Sequence, residues 1–419
     1  MSTIHKIQNY FLHLSPMKIL LCGYCTIIFI GSCLLSLPIA VRQPQDADFF
    51  TGFFTATSAA CVTGLIRVDT YTHWSFFGQA VILGLIQVGG IGFMTLCISI
   101  MTITKRKIGL VSRSLMQNSV SAPQIGGIVK MTRFIIIGTF LIESIGAVLL
   151  SFHFCPMFGL KKGIWYSIFH SISAFCNAGF DLMGTVQPFS SLTGELGNWY
   201  VNIIIMLLII IGGLGFFVWH DIVTAKWHFH KMHLHSKLVL SVSAFLIIGG
   251  TLLLFVCEQG TPMFENLSLS EQLAASSFQS VSARTAGFNT VNLTELTQAG
   301  RFIMILLMLV GGSPGSTAGG IKTTTFAVLF LSVITTFRNR KSTEVFGRRL
   351  EDFITRKATC VFILYITLSF SIGMFISRTE GTNLIDSLFE TVSAIATVGC
   401  AKSSSVKSGH NTGVKKSSA

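Results

Sequence analysis

Four short segments of the chain share a pattern that suits the binding of a desolvated cation. They read FTATSAACVTGL, FHSISAFCNAGF, FQSVSARTAGF and FETVSAIATVGC, and each has an aromatic start, a Ser-Ala step and one glycine. The glycines, Gly64, Gly179, Gly287 and Gly399, are 115, 108 and 112 residues apart. One such glycine alone would most simply serve helix packing, but four in register indicate a tandem repeat of about 110 residues.

The chemistry that this pattern supports is replacement of the water shell of an alkali cation. Backbone carbonyl oxygens can take the place of water ligands when an extended strand faces a central axis. Glycine permits the unusual backbone that such a strand needs. Four strands, one from each repeat, would close a ring within one chain, and the C-terminal ends of the preceding half-helices would add a negative dipole potential.

The composition restricts the elements that could hold these strands. The chain has 419 residues, of which 51% are hydrophobic and only 11% charged, and its mean hydropathy is +0.67. Ordinary soluble domains carry about 25% charged residues, so a water-soluble globule is excluded. The net charge of +13 could suggest a nucleic-acid partner, but the basic residues cluster between apolar runs, so none is expected.

The apolar runs predict an all-α integral membrane protein. Seven runs are long enough to cross about 30 Å of hydrocarbon. They lie at 19–39, 77–103, 134–152, 200–223, 238–256, 302–335 and 358–376. The four glycine segments, at 49–61, 163–176, 270–284 and 385–396, are too short to cross, so each should enter the membrane as a half-helix and return on the same side. Basic loops at 104–133 and 338–357 place the N-terminus in the cytoplasm.

A second group of glycines interrupts the run at 302–335. Six Gly and Pro residues lie close together there: Gly311, Gly312, Pro314, Gly315, Gly319 and Gly320. Both residue types disfavour a helix interior, and a broken helix at membrane depth is tolerated only where it lines a cavity. The related QVGGIGF and IIGGLGF most simply permit close helix packing. Lys322 either extends to the cytoplasmic surface or faces a permeation path.

The remaining reactive residues do not support catalysis. Ten cysteines lie mostly within apolar runs and are interpreted as reduced packing residues. Five histidines could bind a metal by their spacing, but a solvated loop is favoured because no Cys or carboxylate pattern accompanies them: His220, His228, His230, His233 and His235. Arg284 should pair with a carboxylate or a carbonyl. We predict no catalytic residue, no cofactor and no metal beyond a permeating cation, and hence no enzyme.

The phrases CVTGL, CNAGFDLMG, SARTAGFNT, LVGGSPGSTAGGIKTTT and ATVG resemble the pore subunits of the Trk/Ktr/HKT family of potassium transporters, and the Ktr type most closely. The resemblance runs from about Met17 to Gly399. It implies K⁺ uptake, either passive or coupled to Na⁺, by a multi-pass protein of the cell inner (plasma) membrane. It also implies a homodimer in membrane lipid and a cytosolic nucleotide-binding regulatory subunit.

The resemblance further assigns individual residues. The implied selectivity filter consists of Val62, Thr63, Gly64, Asn177, Ala178, Gly179, Thr285, Ala286, Gly287, Thr397, Val398 and Gly399. The implied intramembrane gating loop consists of Gly311, Gly312, Ser313, Pro314, Gly315, Ser316, Thr317, Ala318, Gly319 and Gly320, followed by Lys322. In the family a serine at the position of Gly64 accompanies sodium selectivity, so Gly64 implies a preference for K⁺.

The predicted fold is four tandem helix, pore half-helix, helix repeats around a pseudo-fourfold pore, with the fourth repeat incomplete. The repeats are expected at 1–104, 105–224, 225–336 and 337–400, with a disordered tail at 401–419 that is rich in Ser, Lys and Gly. Two alternatives stay open, the first because no apolar run follows Gly399 and the second because secondary transporters also place their sites at broken helices. One is a non-conducting or inactive truncated pore homologue, and the other is a secondary transporter of another solute, although such transporters usually have inverted repeats.

Overall fold

The computed structural model describes residues 16–92, 128–339, 344–346, 348–349 and 351–401, and this part is almost entirely helical. The α-helices are α1 Pro16–Leu35, α2 Phe49–Ala60, α3 Thr70–His73, α4 Phe76–Ile91, α5 Ile128–Phe158, α6 Leu160–Phe175, α7 Trp199–Leu214, α8 Phe216–Thr224, α9 Leu234–Cys257, α10 Leu269–Ser282, α11 Gln298–Leu309, α12 Thr323–Phe337, α13 Asp352–Glu380 and α14 Leu384–Ile395. Short 3-10 helices cover Pro38–Ala40, Pro44–Asp46, Met183–Thr185, Thr193–Glu195 and Phe229–Lys231. In the described part, one antiparallel hairpin pairs β1 Glu344–Val345 with β2 Arg348–Arg349.

Among the described residues, four helices are each long and apolar enough to cross a membrane: α1, α5, α9 and α13. Each packs extensively against the half-helix that follows it, in the pairs α1 with α2, α5 with α6, α9 with α10 and α13 with α14. The long helices carry exposed apolar side chains such as Phe152, Leu252 and Phe375. Such a surface suits lipid and not water, so the fold is that of an all-α membrane protein, as predicted.

The local sequence explains where the half-helices α2, α6, α10 and α14 begin and end. The Asp48 carboxylate accepts a hydrogen bond from the Thr51 N–H at the start of α2. Ser268 forms a capping box with Glu271 at the start of α10. These bonds satisfy N–H groups that a first helical turn leaves free. Each half-helix ends within three residues of a non-glycine residue with positive φ, a conformation that a right-handed helix cannot contain.

The predicted run at 200–223 is not one straight helix, although its two parts together are long and apolar enough for a membrane span. The chain there forms α7 and α8, which meet at Gly215 with a bend of 93°. Gly215 has a φ of 92°, which breaks the helix. The predicted run at 302–335 is interrupted, as expected, because the residues between α11 and α12 are not helical.

Part of the predicted organisation lies outside the described residues. Helix α4 ends at Ile91, and the rest of the predicted run 77–103 falls almost wholly within the undescribed segment 93–127. Most of the basic loop at 104–133 and the tail after residue 401 are also outside the described residues. The second basic loop is described only in part, around β1 and β2.

The half-helices follow one another around the molecule in chain order. Each second helix contacts the half-helix of the next repeat, since α4 contacts α6, α7 contacts α10 and α11 contacts α14. The aromatic residues that open three of the glycine segments, Phe169, Phe278 and Phe389, are buried in the core. The packing therefore brings the ends of the half-helices together at the centre.

Candidate functional site

Three consecutive residues after each half-helix show the same pattern of positive φ in all four repeats. We call these segments, 62–64, 177–179, 285–287 and 397–399, the candidate filter strands. The first residue of each has positive φ: Val62 (54°), Asn177 (58°), Thr285 (70°) and Thr397 (55°). The third is a glycine, also with positive φ: Gly64 (81°), Gly179 (70°), Gly287 (78°) and Gly399 (87°). The twelve residues that the resemblance assigned to the filter thus form four segments whose first and third residues have positive φ.

The four strands form a closed ring. Each glycine lies against the carbonyl oxygen of the middle residue in the next strand, in the order Gly64 with Ala178, Gly179 with Ala286, Gly287 with Val398, and Gly399 with Thr63. A Cβ atom added to Gly179 would lie 2.8 Å from the Ala286 oxygen, and one added to Gly287 would lie 2.5 Å from the Val398 oxygen. The other two pairs are closer still. No side chain fits at these four positions without moving the neighbouring backbone.

A buried serine near the end of each half-helix holds its strand. The serine carbonyl oxygen accepts a hydrogen bond of 2.8–2.9 Å from the N–H of the middle strand residue, in the pairs Ser58 with Thr63, Ser173 with Ala178, Ser282 with Ala286, and Ser393 with Val398. In two repeats the hydroxyl adds a bond, from Ser173 to the carbonyl of Phe180 at 2.7 Å and from Ser282 to that of Phe288. The sequence showed this serine only as a mark of the repeat and gave no sign of its role.

A cavity of about 570 Å³ opens beside the ring. All four filter glycines line it, together with loop residues that include Asp181, Asn289 and Glu295. Burial raises the pKa of the Asp181 carboxyl to about 7, and the nearby Asp69 also raises it, although the N–H of Met183 donates to this carboxyl and lowers it. Asp181 was not among the predicted site residues, but it follows Gly179 by two positions in the phrase CNAGFDLMG.

Residues 310–322 connect α11 to α12 without forming a helix, and we call them the 310–322 loop. Val310 and Ile321 pair in a parallel bridge at its base. The Gly311 N–H donates to the Ile321 carbonyl at 3.0 Å. Gly315 and Gly320 have positive φ within it. The predicted gating residues therefore form one closed loop at the break of the helix.

The 310–322 loop lies against the ring. A Cβ atom on Gly319 would overlap with the Oγ1 of Thr397, the first residue of the fourth strand. The Thr317 hydroxyl donates to the carbonyl of Phe175, the last residue of α6, at 3.1 Å. The loop thus contacts the end of α6 and the start of the fourth candidate filter strand.

The same loop is bonded to the bend between α7 and α8. The Ser313 N–H donates to the Gly213 carbonyl at 3.0 Å, and the Phe216 N–H donates to the Gly315 carbonyl at 2.8 Å. The bend leaves backbone groups without helical partners, and the loop supplies partners for them. The backbone groups freed at the two breaks in helical structure therefore form hydrogen bonds with each other.

Two basic side chains are also bonded to the loop. Lys322 Nζ donates to the Ala318 carbonyl at 2.6 Å, so the ammonium folds back onto the loop. The buried Arg284 donates through Nη2 to Ser243 Oγ at 3.2 Å and to the Gly311 carbonyl at 3.3 Å. The described partners of Arg284 thus include a carbonyl, one of the two types expected.

The histidine-rich segment after α8 is held by an acid. His233 Nδ1 lies 2.8 Å from Asp221 Oδ1, and the His233 N–H donates to Asp221 Oδ2 at 2.8 Å. Among the residues that the structure describes, no group of three or more His, Cys, Asp or Glu side chains could hold a metal ion.

Comparison with known proteins gives a family match over most of the chain. The family model described as TrkH, cation transport protein, matches residues 24–409. The chain belongs to this family. It is 39% identical over 390 residues to the potassium/sodium uptake protein NtpJ of Enterococcus hirae. This match covers 92% of the chain and 85% of the relative. It is also 39% identical over 387 residues to the Ktr system potassium uptake protein B of Bacillus subtilis, with the same coverage.

A solved structure gives the same fold. The chain matches the potassium transporter TrkH from Vibrio parahaemolyticus with a TM-score of 0.66 over 90% of the chain and 76% of that protein. The sequence identity of this match is 17%, so it supports the fold alone. The relatives named here are transporters and not enzymes.

Proposed function

We propose that the chain takes up K⁺ across a membrane through the ring of candidate filter strands. The observation that carries this proposal is the contact of each filter glycine with the middle carbonyl of the next strand, which closes a ring of backbone oxygens within one chain. Such oxygens can replace the hydration shell of an alkali cation. The names of the relatives, which are potassium or potassium/sodium uptake proteins, support the same function.

The proposal assigns the twelve residues of the candidate filter strands to the selectivity filter. Gly64 is expected to favour K⁺ over Na⁺, because a serine there would displace the Ala178 carbonyl. Na⁺ either permeates less readily than K⁺, or its entry is coupled to K⁺ uptake. The 310–322 loop is proposed as the gate, since it contacts both the fourth strand and the end of α6.

The wider organisation follows from the same proposal. We place the four repeats at 1–104, 105–224, 225–336 and 337–400, in the plasma membrane with the N-terminus in the cytoplasm. A homodimer and a cytosolic nucleotide-binding regulatory subunit are proposed as partners. Copurification of such a subunit with the chain, and a change in K⁺ uptake when it is removed, would test the second of these.

Uptake of radioactive Rb⁺ by K⁺-deficient cells tests the proposed function. Cells that express the chain should accumulate Rb⁺, and excess K⁺ should compete. Gly287→Val should abolish uptake, because the side chain would occupy the position of the Val398 carbonyl. Gly249→Val is the matched control, since open space surrounds Gly249. The proposal fails if the folded chain in the membrane gives no more Rb⁺ uptake than empty cells.

A further inference from the structure

An acidic side chain lies inside the membrane region next to the second candidate filter strand. Glu143 is on the membrane-spanning helix α5, and only 4% of its surface is exposed. Within the described residues, no basic side chain forms an ion pair with it. A buried carboxyl in such a position is costly, and it is usually retained for a function.

The carboxyl joins three elements. The Gln87 amide of α4 donates to both Glu143 oxygens, at 3.0 and 2.9 Å. The Cys176 thiol lies 3.8 Å from Oε1 in donor geometry. Cys176 directly precedes Asn177, the first residue of the second candidate filter strand. The path from the carboxyl to the strand is therefore one thiol hydrogen bond and one peptide unit.

Tight packing leaves Cys176 little freedom to move. It is fully buried, and a Cβ atom on Gly90 of α4 would lie 2.5 Å from its sulfur. The Ser171 hydroxyl of α6 also donates to the backbone carbonyl of Glu143, at 2.7 Å. A change at Glu143 would thus reach the start of the strand.

The repeats show that the fold itself does not require this acid. Gly31, Gly146 and Gly250 occupy equivalent places on α1, α5 and α9, because each meets one leucine of its own repeat and one small residue of its own half-helix. The leucines are Leu85, Leu208 and Leu307, and the small residues are Ala56, Ser171 and Ser280.

Three positions before these glycines, the first and third repeats carry Ile28 and Ile247, and the second carries Glu143. The register is confirmed by the Ser280 hydroxyl, which donates to the Ile247 carbonyl at 2.8 Å as Ser171 does to that of Glu143. Isoleucine therefore suffices for packing, and the carboxyl is a specialisation of one repeat.

We propose that Glu143 is a positioning residue that fixes the second candidate filter strand through Cys176 and so contributes to the discrimination between K⁺ and Na⁺. The inference rests on the proposed function, since it assigns selectivity to this strand. The hydrogen bonds carry the effect, and a neutral side chain that preserves them should replace the acid.

The test compares Glu143→Ile with Glu143→Gln in purified protein reconstituted into liposomes. We expect Glu143→Ile to lower the preference for K⁺ over Na⁺ by about three- to tenfold, the range that one hydrogen bond supports. Glu143→Gln should stay near the wild-type preference. Ser144→Ile, at an exposed position one residue further on α5, is the control and should change nothing. Cys176→Ala should shift the preference in the same direction, and Glu143→Ile with Cys176→Ala should add little more.

Four results separate the possibilities. The inference is wrong if wild-type protein transports K⁺ and Glu143→Ile keeps the wild-type ion preference. This holds even if uptake and melting temperature both fall, because the role of Glu143 is then only structural. If Glu143→Gln behaves like Glu143→Ile, the charge acts and not the positioning. If the effects of Glu143 and Cys176 are independent, the proposed path is wrong. If wild-type protein transports no K⁺, the proposed function itself fails.

Discussion

At the scale of single residues, the candidate filter strands combine strain with restraint. Val62, Asn177, Thr285 and Thr397 are non-glycine residues in the left-handed region. That conformation costs about 1–2 kcal/mol for each residue, so surrounding contacts must impose it. The hydrogen bond that each half-helix serine carbonyl accepts from the next strand residue restrains the chain directly after the strained one. The period of the glycines made the glycine positions predictable, but the strained residues are Val, Asn and two Thr, with no type common to all four, so the sequence could not show their conformation.

Gly64→Ser should weaken the preference for K⁺ over Na⁺. The added side chain would press on the Ala178 carbonyl and displace one quarter of the ring. We expect a loss of about tenfold, the change that about 1.4 kcal/mol in relative binding produces. Competition between Rb⁺ and Na⁺ uptake measures it. Gly84→Ser is the control because open space surrounds Gly84 on α4. An equal preference for K⁺ over Na⁺ in Gly64→Ser and Gly84→Ser would contradict the filter assignment.

With the proposed orientation, in which the N-terminus is cytoplasmic, Asp181 should make uptake depend on external pH. Burial raises the pKa of its carboxyl to about 7, so the group is a carboxylate above that pH and neutral below it. A carboxylate in the cavity beside the ring attracts cations, and we therefore expect uptake at low K⁺ to fall as the pH falls through about 7. Asp181→Asn should lower uptake at high pH and remove the step. Glu295→Gln removes another acid of the same cavity, and loss of the step in that variant alone would contradict this assignment.

At the scale of elements, the breaks between helices determine where the 310–322 loop lies, as much as the helices do. The glycine cluster at 311–320 predicted a broken helix because Gly and Pro disfavour helical structure. The bend at Gly215 was missed because IIGGLGF was interpreted as a packing site within one span. Gly215 permits the bend, but the groups that stabilise it are distant, since the Gly213 carbonyl and the Phe216 N–H bond to the 310–322 loop, about 100 residues further along the chain. Local patterns cannot reveal such a partner.

Loosening the 310–322 loop should raise cation flux. Deletion of residues 314–318 shortens the proposed gate and removes Thr317, which bonds to the end of α6, so uptake should increase. Thr317→Val should give a smaller increase, because it removes only the bond to the Phe175 carbonyl. Thr336→Val is the control, since that hydroxyl donates to the Ser332 carbonyl of its own helix, α12. Initial rates of Rb⁺ uptake measure the effect. Complete loss of flux in folded deletion protein would show that the loop is structural.

At the scale of the whole molecule, the ring depends on the order of the repeats. Because α4, α7 and α11 each contact the half-helix of the next repeat, the four strands meet in chain order and the fourth strand closes on the first. The sequence predicted four equivalent units from their period. It could not give their order around the axis, because any cyclic arrangement has the same period. It also gave no sign that Glu143 makes the second repeat different from the first and third.

The position of a bound cation in the protein tests the proposed cation pathway most directly. A crystal structure with Rb⁺ would locate the ion by its anomalous scattering. We predict Rb⁺ on the axis of the ring, coordinated by backbone oxygens of the four candidate filter strands, among them those of Thr63, Ala178, Ala286 and Val398. Anomalous density for Rb⁺ elsewhere in the membrane region, with none on this axis, would contradict the central claim that the four strands form one cation pathway.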